Sequence, residues 1–197
     1  MVRTKSGDKP KAIRAATIGE VAEVGSTAVS VNKIAKRADL SVGTLYRYHA
    51  TKDDLLFWVF KQVKSDIHDA MMTAARGKDG AAQRLRAMWF ALVEYGFAAP
   101  RDFLFAEMMS AEIRDGFQED LVLKQMQSEV LAEIQAGIDS EVLVHAPVRT
   151  LEIILASPAI TLARRASIAG VEMEKRELDR VFDLVWRGIA QVEPTKV

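Results

Sequence analysis

Within Ser30–Lys52, reading SVNKIAKRADLSVGTLYRYHATK, hydroxyl, phenol and guanidinium groups crowd into a few positions: Thr44, Tyr46, Arg47 and Tyr48. Together they offer hydrogen bonds and a fixed positive charge, which suit a nucleic-acid backbone and groove. Nothing in the chain offers comparable means for catalysis. The three histidines, His49, His68 and His145, are scattered and lack metal-ligand spacing such as H-E-x-x-H. There is no Gly-rich phosphate loop and no nucleophile elbow, and acid pairs such as Glu119-Asp120 read as helix surface. The absence of cysteine excludes disulfides, Cys-ligated zinc and thiol catalysis. An enzyme is not expected, and neither a metal nor a cofactor.

The groups of interest need a scaffold, and the surrounding pattern supplies one. Pro10 suits a first helical turn, apolar Ile13, Ala16, Val21 and Val24 follow, and Gly25 closes the helix. Ser30 is placed to cap a second helix with Val31, Ile34, Ala35 and Ala38 inward. Asp39-Leu40 forms a turn, and Ser41 caps a third helix running through Tyr48. Small Ala35 permits the two short helices to cross closely. Thr51-Lys52-Asp53-Asp54 opens a long helix as a capping box, expected over 52–75. Further helices are expected over 80–98, 103–113, 117–138, 148–169 and 173–191, with Pro158 kinking or splitting the penultimate one. No strand-like alternation and no internal repeat occur. The fold class is all-α, with about nine helices.

At 197 residues, 49% of them apolar and 27% charged, the chain can bury a real core. Its net charge of zero divides unevenly. Residues 1–52 carry ten Lys/Arg and four Asp/Glu, and the remainder seventeen and twenty-three. A basic end on a neutral chain points to a polyanionic partner for that end. Arg3, Lys5 and Lys9 form a basic arm that either follows DNA or simply solubilises the terminus. No apolar run reaches membrane-spanning length, and MVRTKSGDKPK lacks the apolar core of a signal peptide. A cytoplasmic protein is expected.

The segment Ile34-Ala35, Leu40-Ser41-Val42-Gly43-Thr44-Leu45-Tyr46, Tyr48, Lys52 and Leu55 resembles the DNA-binding domain of TetR-family transcriptional regulators. The resemblance covers about fifty residues, and the remainder matches only in layout. It implies a helix-turn-helix head over 1–51 and a helical ligand-binding and dimerisation body over 52–197. Carried over by position, Thr44, Tyr46, Arg47 and Tyr48 would face the major groove and flanking phosphates. Ser30 and Ser41 at helix N-termini, Val42, Gly43, Lys33 and Lys52 complete the implied DNA-binding set. Lys36 and Arg37 are further phosphate candidates or a solvated face. Two positions depart from the family pattern. Asp39 stands where the turn often has Gly, and His49 stands where Phe usually docks the motif on the fourth helix.

The resemblance also implies a homodimer on an operator duplex and a small-molecule effector. Trp89, Phe90, Phe97, Phe103, Phe105, Met108, Met109 and Phe117 make an aromatic and Met-rich middle, which suits an effector cavity or an ordinary bundle core. Glu94, Glu107 and His68 are polar candidates there, or exposed surface. On the last two helices, Leu151, Leu155, Leu162, Val181, Leu184, Val185 and Ile189 either form the dimer interface or complete the monomer core. A repressor that binds a palindromic operator as a dimer and is released by a small apolar effector is the expected function. A dimeric helical adaptor without operator binding is the competing one.

Overall fold

Polar caps and left-handed residues divide the chain into helices where the sequence places them. The computed structural model describes residues 9–113, 120–170 and 173–191. Among these residues there are nine helices and no strand: α1 Lys9–Val24, α2 Val31–Arg37, α3 Val42–Tyr48, α4 Lys52–Ala75, α5 Ala81–Ala98, α6 Pro100–Glu112, α7 Leu121–Asp139, α8 Val148–Ala169 and α9 Lys175–Ile189. An isolated bridge pairs Leu143 with Ala190 and ties the α7–α8 loop to the end of α9. Arg3, Lys5 and Phe117 lie outside the described residues.

Several boundaries have a local cause. Gly25, at φ 78°, ends α1 in the left-handed region that glycine enters freely. Thr51 accepts from the Asp54 N–H at 3.0 Å, and the Asp54 carboxylate accepts from the Thr51 N–H at 3.0 Å, so α4 starts on a complete capping box. Pro100 does end α5, but it also serves as the first residue of α6, where a missing N–H is harmless. Asp120 caps α7 by accepting from Val122 and Leu123.

Pro158 does not split the helix, since α8 runs through it from Val148 to Ala169. Proline removes one helical donor, but the packing around it is tight. Ala159 and Ala163 are fully buried, and a Cβ on Gly96 of α5 would lie 2.6 Å from the Ala163 Cβ. The backbones of α5 and α8 approach closely here, and Ser167 donates to the Gly96 carbonyl at 2.8 Å. Two turns away, the Trp89 indole donates to the Leu155 carbonyl at 3.1 Å.

Helix α5 packs most extensively on α4 and α8, which makes it the axis of the body. One apolar core runs without interruption from Ile13 in α1 through Val59 and Val93 to Phe182 in α9. The position between 51 and 52 is therefore a helix start within a continuous core. A smaller cluster around Leu85, Ile138, Leu143 and Leu151 fills the far end. No helix among the described residues is long and apolar enough to cross a membrane.

Candidate functional site

The short helices α2 and α3 are held by very few residues. Ile34, Ala35 and Leu45 are almost completely buried, and they fix the crossing. Between the helices Asp39 adopts φ 54°, and the Leu40 N–H donates to the Ala35 carbonyl at 2.9 Å. Aspartate visits this left-handed region more readily than most residues, so the turn keeps its shape without glycine. The Ser41 hydroxyl accepts from the Thr44 N–H at 3.1 Å and lies 2.8 Å from the Thr44 hydroxyl.

With the inner face of α3 occupied, its outer face carries the polar groups. Tyr46 and Tyr48 are 49% and 47% exposed, and Arg47 lies exposed between them. A Cβ on Gly43 would meet nothing within 4 Å, so the backbone there is open to a partner. Val42 is half-buried against the core. Ser30 has the extended backbone of an N-cap but makes no capping hydrogen bond, which leaves its hydroxyl available. Lys52 donates to the Thr27 carbonyl at 3.3 Å from an exposed position beside the motif. His49 caps α3 at its C-terminus and packs at a tilt against Trp58 of α4, ring centroids 4.8 Å apart and planes at 43°. Burial lowers its pKa, with the Asp54 charge opposing, so the neutral ring fills the docking position as an aromatic would.

The basic residues of α2 are not equally free. Arg37 pairs with Glu20 at 2.9 Å and with Glu23, and Lys33 lies 3.7 Å from Glu20. The Glu20 side chain is fully buried, so Arg37 compensates a carboxylate removed from water and binds α2 to α1. That is a structural commitment for Arg37. Lys33, 64% exposed at its side chain, remains reachable.

A cavity of about 190 Å³ opens in the body between α4, α5, α6, α7 and α8. Ile67, Met71, Leu92, Leu123 and Ile160 supply apolar wall, and Lys64, Glu107, Ser110, Gln127 and Glu152 supply polar groups. Burial lowers the pKa of Lys64, with Glu107 and Glu152 opposing. Burial raises that of Glu107 against the pull of Arg164 and Lys64. Glu152 pairs with Arg149 at 3.0 Å. His68 sits at the edge, its Nε2 2.9 Å from Glu129 but without hydrogen-bond alignment. A smaller void of about 50 Å³ adjoins, bordered by Trp89, Met71 and Leu155.

Of the aromatic and Met residues singled out above, Phe103 lines the larger cavity and Trp89 the smaller. Phe105 and Met109 are buried in the core, Phe90 and Phe97 pack against it, and Met108 is exposed. Glu107 and His68 lie at the cavity, whereas Glu94 is exposed. Lys64, Ser110, Gln127 and Glu152 escaped the sequence reading. Lys64 had a detectable signal, being one turn from Phe60 and from Ile67 within the buried stripe of α4. On the last helices, Leu151, Leu155, Leu162 and Ile189 pack inside the protomer, and Val181 and Val185 are partly buried. Leu184 is 69% exposed, together with Ile153 at 64% and Ile168 at 71%.

Polar contacts join head and cavity. Arg14 of α1 bonds Asp66 of α4 at 2.6 Å and also Asp102 of α6. Burial, followed by the charges of Asp102 and Asp66, pushes the neighbouring Tyr95 phenol up to about 12. Ser26, just beyond α1, donates to Glu112 at the far end of α6. Helix α6 carries Phe103 and Glu107 between these two attachments.

Comparison with known proteins agrees with this geometry. The family model for bacterial regulatory proteins of the tetR family matches residues 13–59. A helix-turn-helix-type transcriptional regulator of Staphylococcus aureus is 40% identical over 57 residues, covering 23% of this chain and 31% of that protein. The chain thus matches less than a third of that relative's length. A TetR family transcription regulator from Marinobacter aquaeolei superimposes with TM-score 0.83 at 26% identity, covering 95% of this chain and 98% of the other. One from Haemophilus influenzae does so with TM-score 0.76 at 21% identity, over 95% and 100%. The helix-turn-helix of α2 and α3, the long α4 leading from it and the helical body all have their counterparts there: residues 13–59 match the tetR family model, and the chain as a whole is similar in fold to TetR family transcription regulators.

Proposed function

We propose that the chain binds a palindromic operator as a homodimer, represses transcription from it, and releases it when a small molecule fills the body cavity. The observation that carries this reading is the outer face of α3. Tyr46, Arg47 and Tyr48 stand exposed on a helix whose inner face is locked by Leu45. Phenol and guanidinium groups on such a helix suit base edges and phosphates in a major groove. Ser30, Ser41, Thr44 and Lys52 flank it, with Val42 and Gly43 setting the approach, and Lys33 is within reach of the neighbouring backbone.

A dimer follows from the exposed apolar side chains of α8 and α9. Ile153, Ile168 and Leu184 form faces that a symmetry mate would cover, leaving the buried leucines to the protomer. Two heads so joined must reach successive major grooves, about 34–36 Å apart. An effector that binds better when the heads are wrongly spaced weakens operator binding by a coupling of about 1–3 kcal/mol. Helix α4 spans from Lys52 beside the motif to Lys64 and His68 at the cavity, and α6 is attached to α1 at both ends, so ligand and head share two rigid elements. Such a regulator works in the cytoplasm.

Genomic fragments captured by the purified chain would yield the operator. A gel shift on that duplex should then show salt-sensitive binding, lost on Tyr46→Ala with Lys52→Ala. Retained binding by the double variant would refute the site. Absence of salt-sensitive duplex binding under any condition would refute the regulator reading in favour of an adaptor.

A further inference from the structure

The body cavity has one chemical feature that an ordinary bundle core lacks. Lys64, half-buried on α4, lines the cavity, and burial lowers its pKa. It makes no ion pair or side-chain hydrogen bond among the described residues, although Lys61, one turn earlier on the same helix, pairs with Asp120 at 3.0 Å. A partly desolvated ammonium group without a partner is costly. Glu107, across on α6, is likewise unpaired among the described residues, too far from Lys64 to bridge it directly. The other charged lining groups are already engaged, Glu152 by Arg149 and His68 by its proximity to Glu129.

Two opposite, unpaired groups on facing helices with apolar wall between them describe a ligand in outline. We infer that the effector is a compact carboxylic acid with an apolar body and a hydroxyl or amino group at its other end, its carboxylate bound by Lys64 and its donor group directed to Glu107. The size is bounded as well. A dry cavity of about 150 Å³ holds benzene, so 190 Å³ accommodates a single ring with small substituents. Met71 and Met126 in the wall can adjust to the shape of the ring. Ser110, whose hydroxyl donates to the Ala106 carbonyl at 2.7 Å, and Gln127 also line the cavity, and Gln127 can donate or accept a further hydrogen bond there.

This inference rests on the proposed reading of the cavity as the effector site, and the test separates the two. Four probes of similar size are titrated into the purified full chain: 4-hydroxybenzoate, benzoate, benzyl alcohol and benzylamine. Binding is read by calorimetry and thermal melting, and operator release by gel shift. The expected order of affinity is 4-hydroxybenzoate, then benzoate, then the two uncharged or cationic probes. The leading probe should raise the Tm by about 5–10 °C at a hundredfold excess over its Kd. Lys64→Met should weaken both carboxylates by roughly ten- to a hundredfold while leaving benzyl alcohol unchanged. Lys64→Arg should keep the preference for carboxylates, and Glu107→Ala should remove the advantage of the hydroxyl.

Benzyl alcohol binding as tightly as the carboxylates, undiminished carboxylate binding in Lys64→Met, or no carboxylate binding at millimolar concentration would each overturn the inference. Operator release by a neutral molecule that binds the Lys64→Met chain equally well would overturn it while sparing the effector reading. Lys64-dependent carboxylate binding without any change in operator affinity would uphold the ligand chemistry and overturn the effector reading.

Discussion

The two polar regions of this protein are built in opposite ways. The head gathers its groups from twenty-three consecutive residues, Ser30–Lys52, and displays them on a surface. The cavity gathers its groups from five helices, with Lys64 and Ile160 almost a hundred residues apart, and sets them around a recess. In the head, local caps and one turn determine which side chains face outward. In the body, only the packing of α5 against α4 and α8 opens a space and decides what lines it. Recognition of a large, charged, regular partner can be written in a short segment. A pocket for a small molecule requires walls on several sides, and no contiguous segment supplies them.

This contrast can be broken by substitutions. The largest effect is expected from Tyr46→Ala with Lys52→Ala, which should lower operator affinity about a hundredfold and reduce the salt slope by roughly one. The melting temperature should stay within about 2 °C, because both side chains lie outside the core. A comparable loss of ligand binding in the cavity would show the two regions to be less separate than the geometry indicates.

Gly96→Ala addresses the body. A Cβ there meets the Ala163 Cβ at 2.6 Å and backbone at 2.9 Å, so α5 and α8 must part. Overpacking of this kind costs about 1–3 kcal/mol, a Tm decrease of about 3–10 °C by calorimetry. An unchanged Tm would mean that the close approach of α5 and α8 is not what holds the body together.

Arg14→Ala examines the connection between the regions. The lost bonds to Asp66 and Asp102 are partly exposed, and a stability loss of about 1 kcal/mol is expected. The sharper readout is the ligand's effect on operator affinity, which should shrink while affinity without ligand changes little. If ligand still releases the operator to the same degree, the connection runs through α4 packing alone.

Lys64→Met should raise the Tm of the unliganded protein by a few degrees, since an apolar side chain replaces an unpaired charge. The pH dependence has a definite direction. Burial lowers the folded-state pKa of Lys64, so the charged form is disfavoured by folding. The penalty is therefore fully present below the lowered value and fades as pH rises through it, where the amine becomes neutral in the native state. The advantage of Met should shrink in alkaline buffer, and an advantage that grew with pH would contradict the burial of a charged lysine. The smallest effect belongs to Asp39→Gly, which relieves a non-glycine residue at φ 54° and should stabilise the head by about 0.5–1 kcal/mol. Equilibrium denaturation would resolve it.

Much of the head was legible in the sequence because its determinants are local. Ser41 and Thr51 cap the helices they precede, Asp39 takes the left-handed turn, and Leu45 turns inward so that Tyr46 and Arg47 turn outward. His49, a departure from the family pattern, also finds a simple place against Trp58. The body was legible only as a series of helices. The aromatic middle suggested cavity and core equally, and most of it packs into or against the core. The leucines of the last two helices carry the periodicity of a buried face, and periodicity cannot distinguish a face buried in one protomer from one buried between two.

The sequence by itself determined the all-helical class, the helix ends set by caps and prolines, and the polar face of Ser30–Lys52. These follow from interactions among residues three or four apart, which any short segment contains. Tertiary structure decided the rest. Gly96 is required by an alanine on another helix, α8 runs through Pro158 where α5 packs closely against it, and Arg37 is held by a buried glutamate on α1. Lys64 becomes a binding group only because packing leaves a space before it and no partner beside it. Spacing along a chain says which side chains share a face, and packing alone decides whether that face meets core, solvent or an empty cavity.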